Sequence, residues 1–97
     1  MSGLCGIVDF TGRAVAVASL EPMIEAAPYR GRDGVTTWSG PGVAFAYQRM
    51  CVTPESRRER QPRVDPNGGH VLMADARLDD REALVTALGP LPPDAGD

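Results

Sequence analysis

Eleven glycines and nine prolines fill one position in five of this 97-residue chain. Proline interrupts helices and central strands, and glycine marks turns, so the elements between them must be short. That composition suits short strands better than long helices. A chain of this length holds one domain, or part of one. It can bury only a little over ~60 % of its unfolded surface, so its core is thin. Apolar residues make up 42 % and charged residues 24 %, a globular balance that excludes global disorder. All ten basic residues are arginine, and the net charge is −3. Bulk-charge binding of nucleic acid or of a membrane surface is thereby excluded. No apolar run approaches the ~18 residues of a bilayer span. The start, Met1-Ser2-Gly3-Leu4-Cys5, lacks the basic and apolar regions of a secretory signal. Cys5 and Cys51 form neither a disulfide framework nor a metal knuckle. The expectation is therefore a cytoplasmic protein with reduced thiols and no metal site.

Residues 4–10 read as a strand. The adjacent apolar Ile7 and Val8 predict cover on both of its faces. Residues 13–18 form a candidate second, shorter strand. Ser19 is a candidate N-cap, and Leu20, Met23, Ile24 and Ala27 follow at helical spacing. Pro22 falls in the first turn and Pro28 ends the helix. Residues 35–39 and 43–52 read as a hairpin across Gly40-Pro41-Gly42, with Val43, Phe45 and Tyr47 alternating with Ala44 and Ala46. Residues 53–69, rich in Pro, Gly and Arg, read as a disorder-prone loop that is either functional or mobile. Residues 70–76 read as a strand. Asp79 and Glu82 form a capping box for a helix ending at Leu88 before Gly89 and Pro90. Residues 90–97 read as an unstructured tail. The order strand, helix, hairpin, strand, helix is α+β.

Three places offer chemistry. Cys5 is a nucleophile if its own α-amine is free, because that amine, with an ordinary pKa near ~8, is then a general base beside the thiol. Otherwise it is a small buried residue at a strand start. Arg49 stands at a strand end, where a guanidinium holds a carboxylate bidentately. Otherwise it is a solvated arginine. The stretch from Met73 to Glu82 offers exposed backbone N–H groups at a strand end for an oxyanion hole. Otherwise it only leads a strand into a helix cap. His70, the single histidine, reads as solvated, Cys51 as core, and Asp33 as a partner for Arg30 within their loop.

Together these pieces resemble the glutaminase domain of class II glutamine amidotransferases. The nearest resemblance is to asparagine-synthetase-like proteins: asparagine synthetase, β-lactam synthetases and lasso-peptide cyclases. The residues that carry it are Cys5-Gly6-Ile7-Val8-Asp9-Phe10, Tyr29-Arg30-Gly31-Arg32-Asp33-Gly34, Gln48-Arg49-Met50, Gln61-Pro62, and the run from Ala74-Asp75-Ala76-Arg77 to Ala83-Leu84. The resemblance implies the first part of an N-terminal-nucleophile fold, an α/β/β/α sandwich of antiparallel sheets. It implies hydrolysis of glutamine to glutamate and ammonia through a cysteinyl thioester. The ammonia would go to an ATP- and magnesium-using synthetase domain that makes an amide. By family role Cys5 is the nucleophile, Arg49 clamps the glutamine α-carboxylate, and Asp75 and Ala76 stand where an asparagine–glycine pair donates to the oxyanion.

The departures from that pattern predict a degenerate domain. Met1 to Leu4 precede Cys5, so its nitrogen is an amide unless those residues are removed. An ionised Asp75 has no donor to offer an oxyanion, and losing one such donor costs ~10²–10³ in rate. Arg77 stands for a glutamate and Arg32 for a proline of the family pattern. The family's later sheet elements and its synthetase domain are expected to be absent from residues 1–97. The sequence thus predicts a partial amidotransferase domain without activity of its own, binding glutamine if active. A second reading is a non-catalytic scaffold for a synthetase domain or subunit, with a homo-oligomer as a further outcome.

Overall fold

The computed structural model describes residues 2–90. They form a small α+β protein with antiparallel sheets and two α-helices. Strand β1 spans Gly3–Val8, β2 spans Val35–Gly40 and β3 spans Val43–Gln48. They make one sheet in the order β1-β3-β2, with Cys5 opposite Ala46 and Trp38 opposite Phe45. A second, two-stranded sheet pairs β4 (Arg63–Val64) with β5 (Val71–Leu72). Helix α1 covers Glu21–Glu25, directly after a 3-10 turn at Val17–Leu20, and α2 covers Arg81–Leu88. No helix among the described residues is long and apolar enough to cross a membrane.

The hairpin between β2 and β3 follows from two residues. Pro41 sets its own φ, and Gly42 takes φ +73°, a conformation that disfavours a side chain. Gly42 also lies against the end of β1, where Asp9 N–H donates to Gly42 O at 2.7 Å. A Cβ at Gly42 would stand 2.7 Å from Asp9 O. The same glycine therefore makes the turn and lets β1 dock beside it.

The core lies on one face of the larger sheet. Direct opposition in the register puts Cys5 and Ile7 of β1 on the same face as Ala44 and Ala46 of β3. The alanines keep that face low, and Leu20 enters between the layers. Leu20, Ala44 and Ala46 are fully buried, with Cys5, Ile7, Val15, Val17, Met23 and Ile24 packed around them. Burying one leucine contributes about 1.5–3 kcal/mol. Gln48 continues the alanine face and is buried, yet satisfied: its Nε2 donates to Ile24 O at 3.2 Å and Ala27 O at 2.8 Å. The same carbonyls also accept backbone N–H groups, Ile24 O from Ala27 at 3.2 Å and Ala27 O from Arg30 at 3.1 Å, so Gln48 ties the sheet to the turn that ends the helix.

Several expectations change. Strand β1 is covered on one face only: Cys5 and Ile7 point inward, while Leu4 and Val8 are exposed. The helical layer stands on one side of the sheet, and nothing described covers the other side at β1. Residues 13–16 are not a strand. Their chain crosses from the end of β1 to the helical layer, and Val15 and Val17 pack on the core as it crosses. Ser19 lies inside the 3-10 turn, and the N-cap of α1 is Leu20. The capping residue of α2 is Asp80, one residue later than the expected Asp79; its carboxylate accepts from Ala83 N–H at 3.3 Å. Asp79 instead lies 3.4 Å from Arg77. The strand expected over 70–76 shrinks to β5, because its partner β4 offers only two residues. Residues 53–69 contain a 3-10 turn at Glu55–Arg57 and strand β4. The tail expected at 90–97 lies, from residue 91 onward, outside the described residues.

Candidate functional site

A cleft of about 500 Å³ opens where the Ser2 end of β1 meets the segments 50–61 and 74–81. Polar side chains of Ser2, Tyr47, Glu55, Gln61, Asp75 and Arg77 are among its lining, together with Ala76. Tyr47 points to this cleft because it is on the β3 face opposite Ala46. Its hydroxyl donates to Ser2 Oγ at 3.1 Å. Ser2 Oγ also accepts from Met50 N–H at 3.1 Å and donates to Met50 O at 3.3 Å. Ser2 is only 6 % exposed, so Ser2, Gly3 and Leu4 ahead of Cys5 are built into the fold.

Gln61 fixes the opposite wall. Its Oε1 accepts from Ala74 N–H at 2.7 Å, and its Nε2 donates to Ala74 O at 3.0 Å and to Glu59 Oε1 at 3.0 Å. The side-chain amide thus takes the place of a neighbouring strand. It holds Ala74, and with it Asp75 and Ala76, at the cleft. Thr36 Oγ1, on β2, donates to Gln61 O and ties this wall to the sheet.

Thr53 and Ser56 form a reciprocal pair at the third side. Thr53 N–H donates to Ser56 Oγ at 3.2 Å and Ser56 N–H to Thr53 Oγ1 at 3.1 Å. This starts the 3-10 turn Glu55–Arg57. The Arg49 guanidinium then donates through Nη2 to the Ser56 carbonyl at 3.2 Å and to the Arg57 carbonyl. Arg49 Nε is buried without a hydrogen-bond partner.

The structure separates the four residues singled out in the sequence. Asp75 and Ala76 line the cleft; Cys5 and Arg49 are not among its lining residues. The Cys5 thiol lies on the opposite face of the sheet, packed on the core beside Ala46. Burial pushes its pKa up from 9.0, so it is a neutral thiol at pH 7 and a weak nucleophile. Its nitrogen is a peptide nitrogen in the ladder, between Leu4 and Gly6 opposite Tyr47 and Phe45. The Arg49 guanidinium is held by backbone carbonyls. Asp33 accepts from Cys51 N–H at 2.8 Å, which docks its loop on the chain after β3. His70 is exposed, 3.7 Å from Asp65. Among the described residues, no group of three or more His, Cys, Asp or Glu is placed to hold a metal ion.

Ser2 and Gln61 organise the site, and no pattern in the sequence announces their roles. Each acts through a side-chain bond to backbone far along the chain, a contact that leaves no periodic trace.

No family model, curated protein or solved structure matches this chain.

Proposed function

We propose that this chain is a degenerate glutaminase-like domain, related to the first part of the N-terminal-nucleophile sandwich of asparagine-synthetase-like proteins, and that it does not hydrolyse glutamine. The observation that carries this reading is the anchoring of Ser2 and Leu4. Ser2 makes three hydrogen bonds, and Gly3 and Leu4 are paired with Gln48 and Tyr47. Freeing the Cys5 amine would remove these contacts. While they hold, the thiol has no adjacent base. Its position on the core face keeps it from an electrophile in the cleft. Asp75 lines the cleft where the family pattern has an asparagine, and a carboxylate offers acceptors where that amide would donate. Arg49, given to the Ser56 and Arg57 carbonyls, shapes the cleft wall instead of meeting a substrate carboxylate.

On this reading the domain serves as a scaffold for a synthetase domain or subunit, and ATP and magnesium belong to that partner. Its compartment is the cytoplasm. The test is ammonia release from glutamine by the purified full chain. The expected rate equals that of Cys5→Ala and of buffer alone. Glutamine-dependent ammonia that disappears in Cys5→Ala would overturn the reading.

A further inference from the structure

We infer that Asn67, at the tip of the β4–β5 hairpin, is a self-modification site. The backbone nitrogen of Gly68 closes on the Asn67 side chain, ammonia leaves, and the chain acquires an aspartate or isoaspartate there. The inference is independent of the glutaminase reading.

Asn67 is the single asparagine of the chain, and a glycine follows it. The nitrogen after an asparagine closes a five-membered ring when it reaches Cγ. A side chain on the following residue hinders that closure, and glycine has none. Around Gly68 the space is also empty: beyond its two chain neighbours, no heavy atom lies within 4 Å of where its Cβ would stand. Asn67, Gly68, Gly69 and His70 are all exposed. Asn67 enters hydrogen bonds only through its backbone, so its carboxamide is free to turn among the described residues. Two bonds hold the tip closed. Asn67 N–H donates to Asp65 Oδ1 at 2.9 Å, and Gly68 N–H donates to Asp65 O at 2.9 Å. The attacking nitrogen is therefore turned toward Asp65 until the tip opens. Opening it costs little, because the hairpin beneath has only two pairs, Arg63 with Leu72 and Val64 with Val71, and one closing bond from Asp65 N–H to His70 O at 2.9 Å. Asp33-Gly34 is the opposite case. Asp33 Oδ2 accepts from Cys51 N–H at 2.8 Å and Gly34 O accepts from Arg49 N–H at 2.8 Å, which pins side chain and backbone to the chain after β3.

Once the tip is open, the Gly68 nitrogen gives its proton to water and attacks Asn67 Cγ. The N–Cγ bond forms, the Cγ–Nδ2 bond breaks, and Nδ2 takes up a proton and leaves as ammonia. Water then opens the cyclic imide by adding to one of its two carbonyls. Cleavage at Cγ gives aspartate. Cleavage at the backbone carbonyl gives isoaspartate, whose main chain runs through Cβ and Cγ. The net reaction consumes one water and releases one ammonia. Either product adds one negative charge to a chain of net charge −3, beside the Asp65 carboxylate that accepts from Asn67 N–H. Isoaspartate also lengthens the turn by one backbone carbon. A ladder of two pairs has no further bonds to absorb that change, so the Asp65–His70 closing bond is the first to go.

The experiment incubates the full chain for days in a mildly alkaline buffer without glutamine, and follows intact mass, ammonia and the peptide map. The expected result is a mass gain of about 1 Da per chain, one ammonia released with it, and aspartate and isoaspartate at position 67. Cys5→Ala converts at the same rate, which separates this ammonia from any glutaminase activity. Asn67→Gln, which can close only a six-membered ring, stays unconverted over the same period. Two further variants both loosen the hairpin and are expected to act in opposite directions. Asp65→Ala removes the side chain that holds Asn67 N–H and speeds conversion at least about twofold. Gly68→Val puts a branched side chain beside the attacking nitrogen and slows it at least about tenfold. A chain without mass gain over several half-lives of the free peptide of residues 62–73 would overturn the inference. So would a gain mapped to Gln48 or Gln61, or equal rates in Asp65→Ala and Gly68→Val.

Discussion

The stretch from Gly3 to Gln48 and the stretch from Thr53 to Leu88 are held together in different ways. The first is a three-stranded ladder closed on a shared core. The fully buried Leu20, Ala44 and Ala46 all belong to it. The second has two strands of two residues each and a helix, α2, with no buried residue. It hangs on single side chains: Gln61 on Ala74, Arg49 on the Ser56 and Arg57 carbonyls, Thr36 on Gln61. The contrast shows that stability and site construction are separated along this chain. Apolar burial in the first stretch supplies the fold. Side-chain to backbone bonds in the second build the cleft on top of it, at about 0.5–1.5 kcal/mol each.

The contrast breaks if a core substitution and a cleft substitution cost the same. Leu20→Ala removes the largest fully buried side chain and is expected to cost about 2–5 kcal/mol. In urea unfolding followed by Trp38 emission, the whole first stretch melts earlier. Gln61→Ala comes next. It leaves the Ala74 N–H and carbonyl without their partner, and is expected to cost about 1–2 kcal/mol. Amide exchange should quicken at residues 74–76, while Ala44 and Ala46 keep their protection. Equal acceleration in both places would mean that the two stretches fold as one unit.

How much of this was readable in advance follows the same division. The alternation of Val43, Phe45 and Tyr47 with Ala44 and Ala46 placed β3, and Pro41-Gly42 placed its turn, because strand periodicity and turn chemistry are local. Leu20, Met23 and Ile24 gave the core-facing side of the helical segment for the same reason. The faces of β1 are not legible in the sequence, since two adjacent apolar residues look alike whether one or two layers cover them. In the cleft, only the family resemblance singles out Asp75 and Ala76, which the fold places in the lining. Their holder, Gln61, is thirteen residues from Ala74, and no local pattern joins the two. Nor could the sequence place the Cys5 thiol on the core side of its strand. That depends on which face receives the helical layer, a tertiary choice.

Smaller effects sharpen the picture at the edges. Asp80→Ala removes the α2 cap and is expected to cost about 1 kcal/mol of helix stability. The loss should appear as faster exchange within α2 alone, with the urea midpoint of the sheet unmoved. The smallest effect is at Asp9. Its carboxylate accepts from Thr11 Oγ1 at 2.6 Å and Thr11 N–H at 2.8 Å, and these bonds lower its pKa below 3.8. A carboxylate with a lowered folded pKa adds stability above its unfolded value, and that stability fades as pH falls through the folded value. The parent chain should therefore exceed Asp9→Asn slightly at pH 6 and lose the advantage as the pH falls below 3.8 through the lowered folded value. An advantage that grew on acidification would reverse the sign of the coupling.

An inert Cys5 requires that Ser2 to Leu4 stay on the chain and that the thiol behind them stay unreactive. Intact-mass spectrometry after incubation with a glutamine-mimicking electrophile measures both together. The predicted spectrum shows Ser2 retained and no added mass at neutral pH. A chain that begins at Cys5 and carries one adduct, absent from Cys5→Ala, would contradict it.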